Sequence, residues 1–165
     1  MNGTPRTDDN SMLNRLLRLL RQRRWAALAT SAADGSPMAS MVAYVPGDNA
    51  GCLYLHLSQL AAHTGNLLAN GKAALVIGEE DNGSGDPQEL ARVTLQGQAV
   101  VVARDSEEYR QARERYLERL PASARLFDFS DFLLFRLDID SARFVGGFAQ
   151  ARSFDRDALC NVLMR

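Results

Sequence analysis

CLYLHLSQLAAHTGNLLANGKAALVIG, residues 52–78, reads as strand, helix and strand with hardly a residue between them. The spacing predicts an apolar strand over Cys52 to Leu57, a helix capped by Ser58 and ended by a left-handed Asn70-Gly71, and a second buried strand over Ala73 to Ile77. Leu60, Thr64, Leu67 and Leu68 recur at helical spacing and are expected to face a core, while His63 and Asn66, three apart, share one flank. With the unpaired N–H groups of the helix start, that flank forms a possible site for a small anion.

The totals limit what surrounds this stretch. A chain of 165 residues is expected to form one domain, residues 11–165, behind a polar, disordered tail over residues 1–10. Its 46% hydrophobic and 24% charged residues and formal net charge of -1 are those of a globular protein without bulk attraction to nucleic acid or membranes. Any binding must come from a local site. Cys52 and Cys160, the only cysteines, make neither a disulfide framework nor a metal cluster. No apolar run reaches the length of a membrane span and the N-terminus has no signal-peptide pattern, so a reducing, cytoplasmic location is expected.

Before the central stretch, Leu13, Leu16, Leu17 and Leu20 define a helix with a basic face of Arg15, Arg18, Arg21, Arg23 and Arg24. Residues 25–31 and 37–45 are strands joined by a turn at Asp34-Gly35, and both faces of the second are expected to be largely buried. After it, the acidic stretch Glu79-Glu80-Asp81 lies in a Gly-rich loop without calcium-loop spacing. Arg92 to Val102 alternates, with Arg92, Thr94, Gln96 and Gln98 in a polar row and Gly97 marking a bend or close approach. Asp105 and Glu108 predict the reciprocal cap of a helix running to Pro121. Residues 121–129 hold a short helical turn, residues 132–139 form a strand, and residues 142–152 form another broken by Gly146-Gly147, followed by a closing helix capped by Asp155. The order predicts a mainly β (α+β) fold: a six- to seven-stranded antiparallel split barrel with flanking helices.

Neither a Ser/His/Asp arrangement nor a GxGxxG, Walker or zinc-ligand spacing occurs, which argues against hydrolase chemistry and the common nucleotide sites. His56 and His63 are the only histidines. His56, near a strand end, is expected to be half-exposed, and His63 has Ser58 and Asn66 about it.

The runs WAALATSAADGSPMASMVAYV, LHLSQLAAHTGNLLANGKAALVI, RVTLQGQAVVV, DFLLFRL and ARFVGGFAQA together resemble the split-barrel flavoproteins related to pyridoxamine 5′-phosphate oxidase. Within that family the chain is most similar to the haem-utilisation branch, through the LxxHxxNL run of Leu60, His63, Asn66 and Leu67 and the late VGGFxxA of Val145 to Ala151. The resemblance implies a homodimer holding FMN at the subunit interface. Ala39, Ser40, Met41 and Val42 would lie along the flavin ring, Leu57 and Ser58 would approach the ribityl chain or phosphate, and His63 and Asn66 would complete that wall. Arg92 and Gln96, or Gly146 to Phe148, would come from the other part of the cleft.

Two departures bear on the cofactor. Ala61, Ala62 and His63 stand where pyridoxamine 5′-phosphate oxidases carry Ser-Arg-Lys, and no histidine follows His63, whereas the haem-utilisation branch has one near its C-terminus. Asp131 matches an acidic position of that branch. The leading expectation is an FMN-binding, flavin-dependent oxidoreductase acting on a small-molecule substrate, with the catalytic residues and substrate unassigned and no resident metal. The alternative is a haem-binding or haem-utilisation protein on the same barrel, with His63 or His56 as iron ligand. A cofactor-free dimeric binding module is the third.

Overall fold

The computed structural model describes residues 7–47, 51–147 and 150–163. The elements run α1 (Thr7–Gln22), β1 (Trp25–Ser31), β2 (Pro37–Ala43), β3 (Val45–Pro46), β4 (Cys52–Ser58), α2 (Ala62–Ala69), β5 (Lys72–Gly78), β6 (Arg92–Val101), α3 (Glu107–Arg119), a 3-10 segment (Pro121–Asp128), β7 (Phe132–Val145), β8 (Ala151–Asp155) and α4 (Arg156–Leu163). They confirm a mainly β antiparallel barrel with flanking helices. The helix expected from Ser11 starts at Thr7. No helix among the described residues is long and apolar enough to cross a membrane.

The strands lie in the order β2-β1-β5-β6-β7-β4-β3, with β8 added to β7. β2 pairs with β1 from Trp25↔Ala43 to Ser31↔Pro37, and the chain then passes through Tyr44 into β3, which pairs with β4. One continuous run thus ends one side of the sheet and begins the other, which closes the barrel but leaves β2 and β4 apart along most of their length. Asp34-Gly35 makes the expected turn, with Gly35 at φ 84.

Leu28, Leu55, Leu75, Ile77, Leu95, Leu137 and Phe144 fill the interior, and α1 closes one end of it with Leu16, Leu19 and Leu20. Tyr44 fastens the end of α1, its hydroxyl donating to the carbonyls of Leu19 and Leu20 at 3.3 and 3.2 Å. The acidic loop completes the closure: Arg15 donates to Glu79 at 3.0 Å and Arg23 to Glu80 at 3.1 Å. Glu79 also accepts from the Ala91 N–H at 2.9 Å. Part of the arginine face is therefore the countercharge of the 79–80 loop, although Arg18, Arg21 and Arg24 remain exposed. A second core lies outside β4 and β7, where Tyr109, Ala112, Tyr116 and Leu120 of α3 and Phe127 pack on Val45, Val102 and Leu134.

Three local expectations are corrected. α3 is capped by Ser106, which accepts from the Tyr109 N–H at 3.1 Å, and not by Asp105 with Glu108. Glu108 turns to Arg136, which donates to both its oxygens at 2.8 Å. Asn70 is extended, at φ -148, because the chain passes straight from α2 into β5; Gly71 serves close approach to Gln98 and Ala99. β7 runs unbroken from Phe132 to Val145, with Asp140 and Ser141 inside the ladder where two strands were expected.

Gly97 fulfils its expectation. The β6–β7 register shifts between Gln96 and Gly97, and a Cβ at Gly97 would run into the backbone carbonyl of Asp138. A backbone carbonyl inside a ladder cannot step aside. Gly97→Ala is therefore expected to lower stability by at least ~2 kcal/mol in urea denaturation, and an unchanged midpoint would show that the bulge has room.

Candidate functional site

The alternation of β1 and β2 gives the barrel wall two faces. Ala26, Leu28, Thr30 and Val42 are buried inward, while Trp25, Ala29, Ala39 and Met41 are exposed outward. The pairings Ala27↔Met41 and Ala29↔Ala39, continued on β5 by Ala27↔Val76 and Ala29↔Ala74, join the outward residues into one surface. Its largest side chains stay open to solvent: Trp25 at 58%, Met41 at 49% and Val76 at 38%. This corrects the expectation that both faces of β2 are buried, since no element among the described residues covers the outer one. A flat platform of alanines rimmed by Trp25, Met41 and Val76 suits a planar apolar molecule or a second protein surface.

α2 sits at the end of the β1–β2 hairpin, where it meets Thr30 and Met38 of the inward-facing set. Asn66 donates to Thr30 Oγ1 at 3.0 Å and to Met38 Sδ at 3.7 Å, so it ties the helix to both strands. Thr64 and Leu67 are buried, but Leu60 is 89% and Leu68 54% exposed, contrary to the expected four-residue stripe. Leu60 leaves the stripe because the helix starts later, with Ala61 as an N-cap without a side-chain hydrogen bond and Ser58 in β4, while Leu68 stands uncovered in the last turn. Ser58 Oγ accepts from the Leu60 N–H at 3.2 Å and donates to Asp131 Oδ2 at 2.8 Å. Leu57 is buried in the interior, so only its backbone could meet a ligand.

This arrangement tests which planar group fits. A flavin phosphate at the start of α2 would find N–H groups and the His63 imidazole but no lysine or arginine in the first turn, and it would meet the Asp131 carboxylate on Ser58. The platform fits a flat ring, but the donor set does not fit the phosphate. An iron porphyrin asks instead for an axial donor, and the two histidines differ sharply in access. His63 is half-buried on the flank it shares with Asn66 and lies one turn ahead of it, with its pKa lowered by burial. His56, expected to be half-exposed, is 6% exposed inside the second core, stacked on Phe127 with ring centroids 3.8 Å apart. Tyr116 and Phe132 complete its surroundings, and neither ring nitrogen has a hydrogen-bond partner. Among the histidines, only His63 is open to a ligand.

Arg92 and Gln96 lie elsewhere. Both point outward from β6, and the register Ala39↔Ala29↔Ala74↔Gln96 sets Gln96 three strands from β2, ~14 Å away. Arg92 is turned to its own loop and donates to the carbonyls of Gln88 and Leu90 at 3.0 and 3.2 Å. Gln96 lines a groove of about 530 Å³ at the far margin of the platform. Gly146 is tied to α1 by Arg15, and Phe148 lies outside the described residues. Ala39 and Met41 thus lie on the open outer face of β2, Ser40 and Val42 face inward with Leu28 and Ala26, Ser58 ends β4, His63 and Asn66 stand on α2, and Arg92 and Gln96 stand on β6, three strands from β2. Sequence reasoning missed Trp25 as a platform residue, although its odd-numbered place in β1 puts it outward with Ala27 and Ala29.

The barrel, its split beside β2 and the motifs along it define a member of a known family: residues 12–146 match pyridoxamine 5′-phosphate oxidase, and the chain belongs to that family. It is 31% identical to the heme oxygenase HutZ of Vibrio cholerae over 142 residues, 84% of this chain and 78% of that protein. It is also 37% identical over 120 residues to the non-canonical chloroplastic heme oxygenase HOZ of Arabidopsis thaliana, covering 72% of this chain but only 34% of that longer protein. A heme binding protein from Mycobacterium smegmatis superposes with a TM-score of 0.82 at 28% identity, over 97% of this chain and 62% of its own.

The buried imidazole makes a pH prediction. Burial, and to a lesser degree the Arg104 charge, push the His56 pKa down to about 4 from 6.5. As pH falls through 6.5 the unfolded chain gains a proton that the folded one refuses until about pH 4, so stability present above 6.5 is lost across that window, by roughly 3 kcal/mol in all. His56→Phe removes this contribution, and its stability is expected to fall less steeply from pH 6.5 to 4 in urea titrations. Parallel curves for wild type and variant would contradict the assignment.

Proposed function

We propose that this chain is a haem-binding, haem-utilisation protein that works as a homodimer, with a haem held along β2 and the outer platform between two copies. The observation that carries this over the flavin reading is the Ser58–Asp131 contact of 2.8 Å, which puts a carboxylate where a flavin phosphate would need cations. The relatives point the same way, since the two curated ones are named as heme oxygenases. Oxidative ring opening is accordingly the activity proposed, with haem as the small-molecule substrate.

His63 is the proposed axial donor, because His56 is sealed beneath Phe127. Trp25, Ala27, Ala29, Ala39 and Met41 would supply the apolar bed that keeps water from the ring, and Asn66 would hold α2 against the hairpin. A second copy supports the scheme in two ways: it would cover an apolar face that the described residues leave bare, and it would bring its own β6 residue Arg92 to the cleft. Residues 11–165 are taken to act as one domain. A bound haem would supply the redox chemistry; the protein's part is to bind, orient and exclude solvent.

Haemin added to the purified protein is expected to give a saturable Soret band, and His63→Gln to lose the sharp band, since an amide replaces imidazole poorly at iron. Quenching of FMN fluorescence by wild type, with no defined haemin complex, would restore the flavin reading. Sedimentation should give twice the 18.2 kDa chain mass, and a monomer at micromolar concentration would remove the shared cleft.

A further inference from the structure

Lys72 is the only lysine in a chain whose 19 lysines and arginines are otherwise all arginine, and it stands in a groove that adjoins the platform. The groove holds about 530 Å³ and combines a floor of Ala29, Ala74 and Gly97 with a rim of Lys72, Gln96 and Ser141. Ala29, Ala74 and Gly97 carry no side chain beyond a methyl, and the bulge at Gly97 draws the β6 backbone against Asp138.

The rim offers donors to an anion. In the β5–β6 register Lys72 lies opposite Gln98 and Ala74 opposite Gln96, so Lys72 and Gln96 are diagonal neighbours, roughly 7–8 Å apart at Cα and able to converge on one carboxylate. Ser141 Oγ contacts Gln96 Oε1 at 3.4 Å, which occupies the amide oxygen and leaves the NH₂ as the free end. Asp140 also lines the groove, yet no ion pair joins it to Lys72, and the ammonium has no carboxylate partner among the described residues. The arginines nearby on the sheet are differently placed, Arg92 on its loop carbonyls and Arg143 on Ser153.

Position gives the donors a meaning. Ala39, Ala29, Ala74 and Gln96 are successive cross-strand partners, so a flat molecule lying over the alanines reaches Lys72 about two strand spacings, ~10 Å, from β2 and Gln96 about three, ~14 Å. We propose that this groove is a carboxylate subsite, in which the Lys72 ammonium and the Gln96 amide bind an acidic side arm of the planar ligand and thereby set its rotation on the platform. The proposal rests on the haem reading above, and names the feature of the ligand this rim would select: a free carboxylate on an otherwise apolar ring. An amine with one charge and a fixed amide donor distinguishes acid from ester, because an ester keeps the shape and loses the charge.

The test compares haemin with its dimethyl ester, by Soret titration, on wild type, Lys72→Met and Asn14→Ala as an exposed control on α1. Wild type and control are expected to bind the acid at least tenfold more tightly than the ester, and Lys72→Met to bind both with the weaker affinity. In addition, haemin but not the ester should shield Lys72 from acylation, read by mass spectrometry of the peptide that holds residue 72, which separates it from acylation of the α-amine. Equal preference for the acid in wild type and Lys72→Met, with Lys72 acylated at the same rate throughout, would overturn the subsite and leave the haem reading intact. Failure of wild type to bind either porphyrin would overturn both.

Discussion

The rest of the structure depends on an imbalance in the barrel wall: its inner face is closed by the chain's own residues and its outer face over β1, β2 and β5 is not. Inside, leucines and Phe144 pack at full density under the plug of α1. Outside, Trp25, Met41 and Val76 stand in water at a cost that scales with exposed apolar area. The same strands thus hold the fold together and present the surface on which the proposed ligand would lie. What distinguishes the outer face from ordinary exposed apolar residues is contiguity, since the register aligns its members row by row.

The other side of the sheet shows that the chain can cover a face when its sequence provides for it. α3 and the 3-10 segment lie over β4 and β7 and bury Tyr109, Tyr116 and Phe127 there. The enclosure is tight enough to hold an imidazole without hydrogen-bond partners, and His56 is kept neutral by that burial. Two histidines seven residues apart consequently serve opposite purposes, one as core filling and one as an accessible donor. On the same face Arg136, paired with Glu108 and Asp138, joins α3 to the ladder. These contacts hold the scaffold and lie away from the platform.

Much of the fold was legible in the sequence because it rests on periodicity and on turn chemistry. The strands around Asp34-Gly35, the polar row on β6 and the close approach at Gly97 all follow from local pattern, and each is present. The failures share a physical origin, which is that apolar residues do not say what covers them. Leu60 and Leu68 fit a helical stripe, but Leu60 precedes α2, which begins only at Ala62, and Leu68 stands uncovered in its last turn. β2 looks buried on both faces because it is apolar on both, although this chain covers one. Ser58 is a good cap by type, but the strand takes it and Asp131 takes its hydroxyl. That last contact could not be found from spacing, since it joins residues 73 apart, and it bears most on the choice of cofactor.

Hydrogen exchange, followed by mass spectrometry with and without haemin, tests the account at its centre because it reads which backbone the ligand covers. Haemin is expected to slow exchange in peptides spanning residues 25–31, 37–43 and 62–69 and to leave those of α3, residues 107–119, unchanged. Slowing confined to α3 and the 3-10 segment, or no slowing under saturating haemin, would contradict the placement of the ligand on the outer face of β1 and β2.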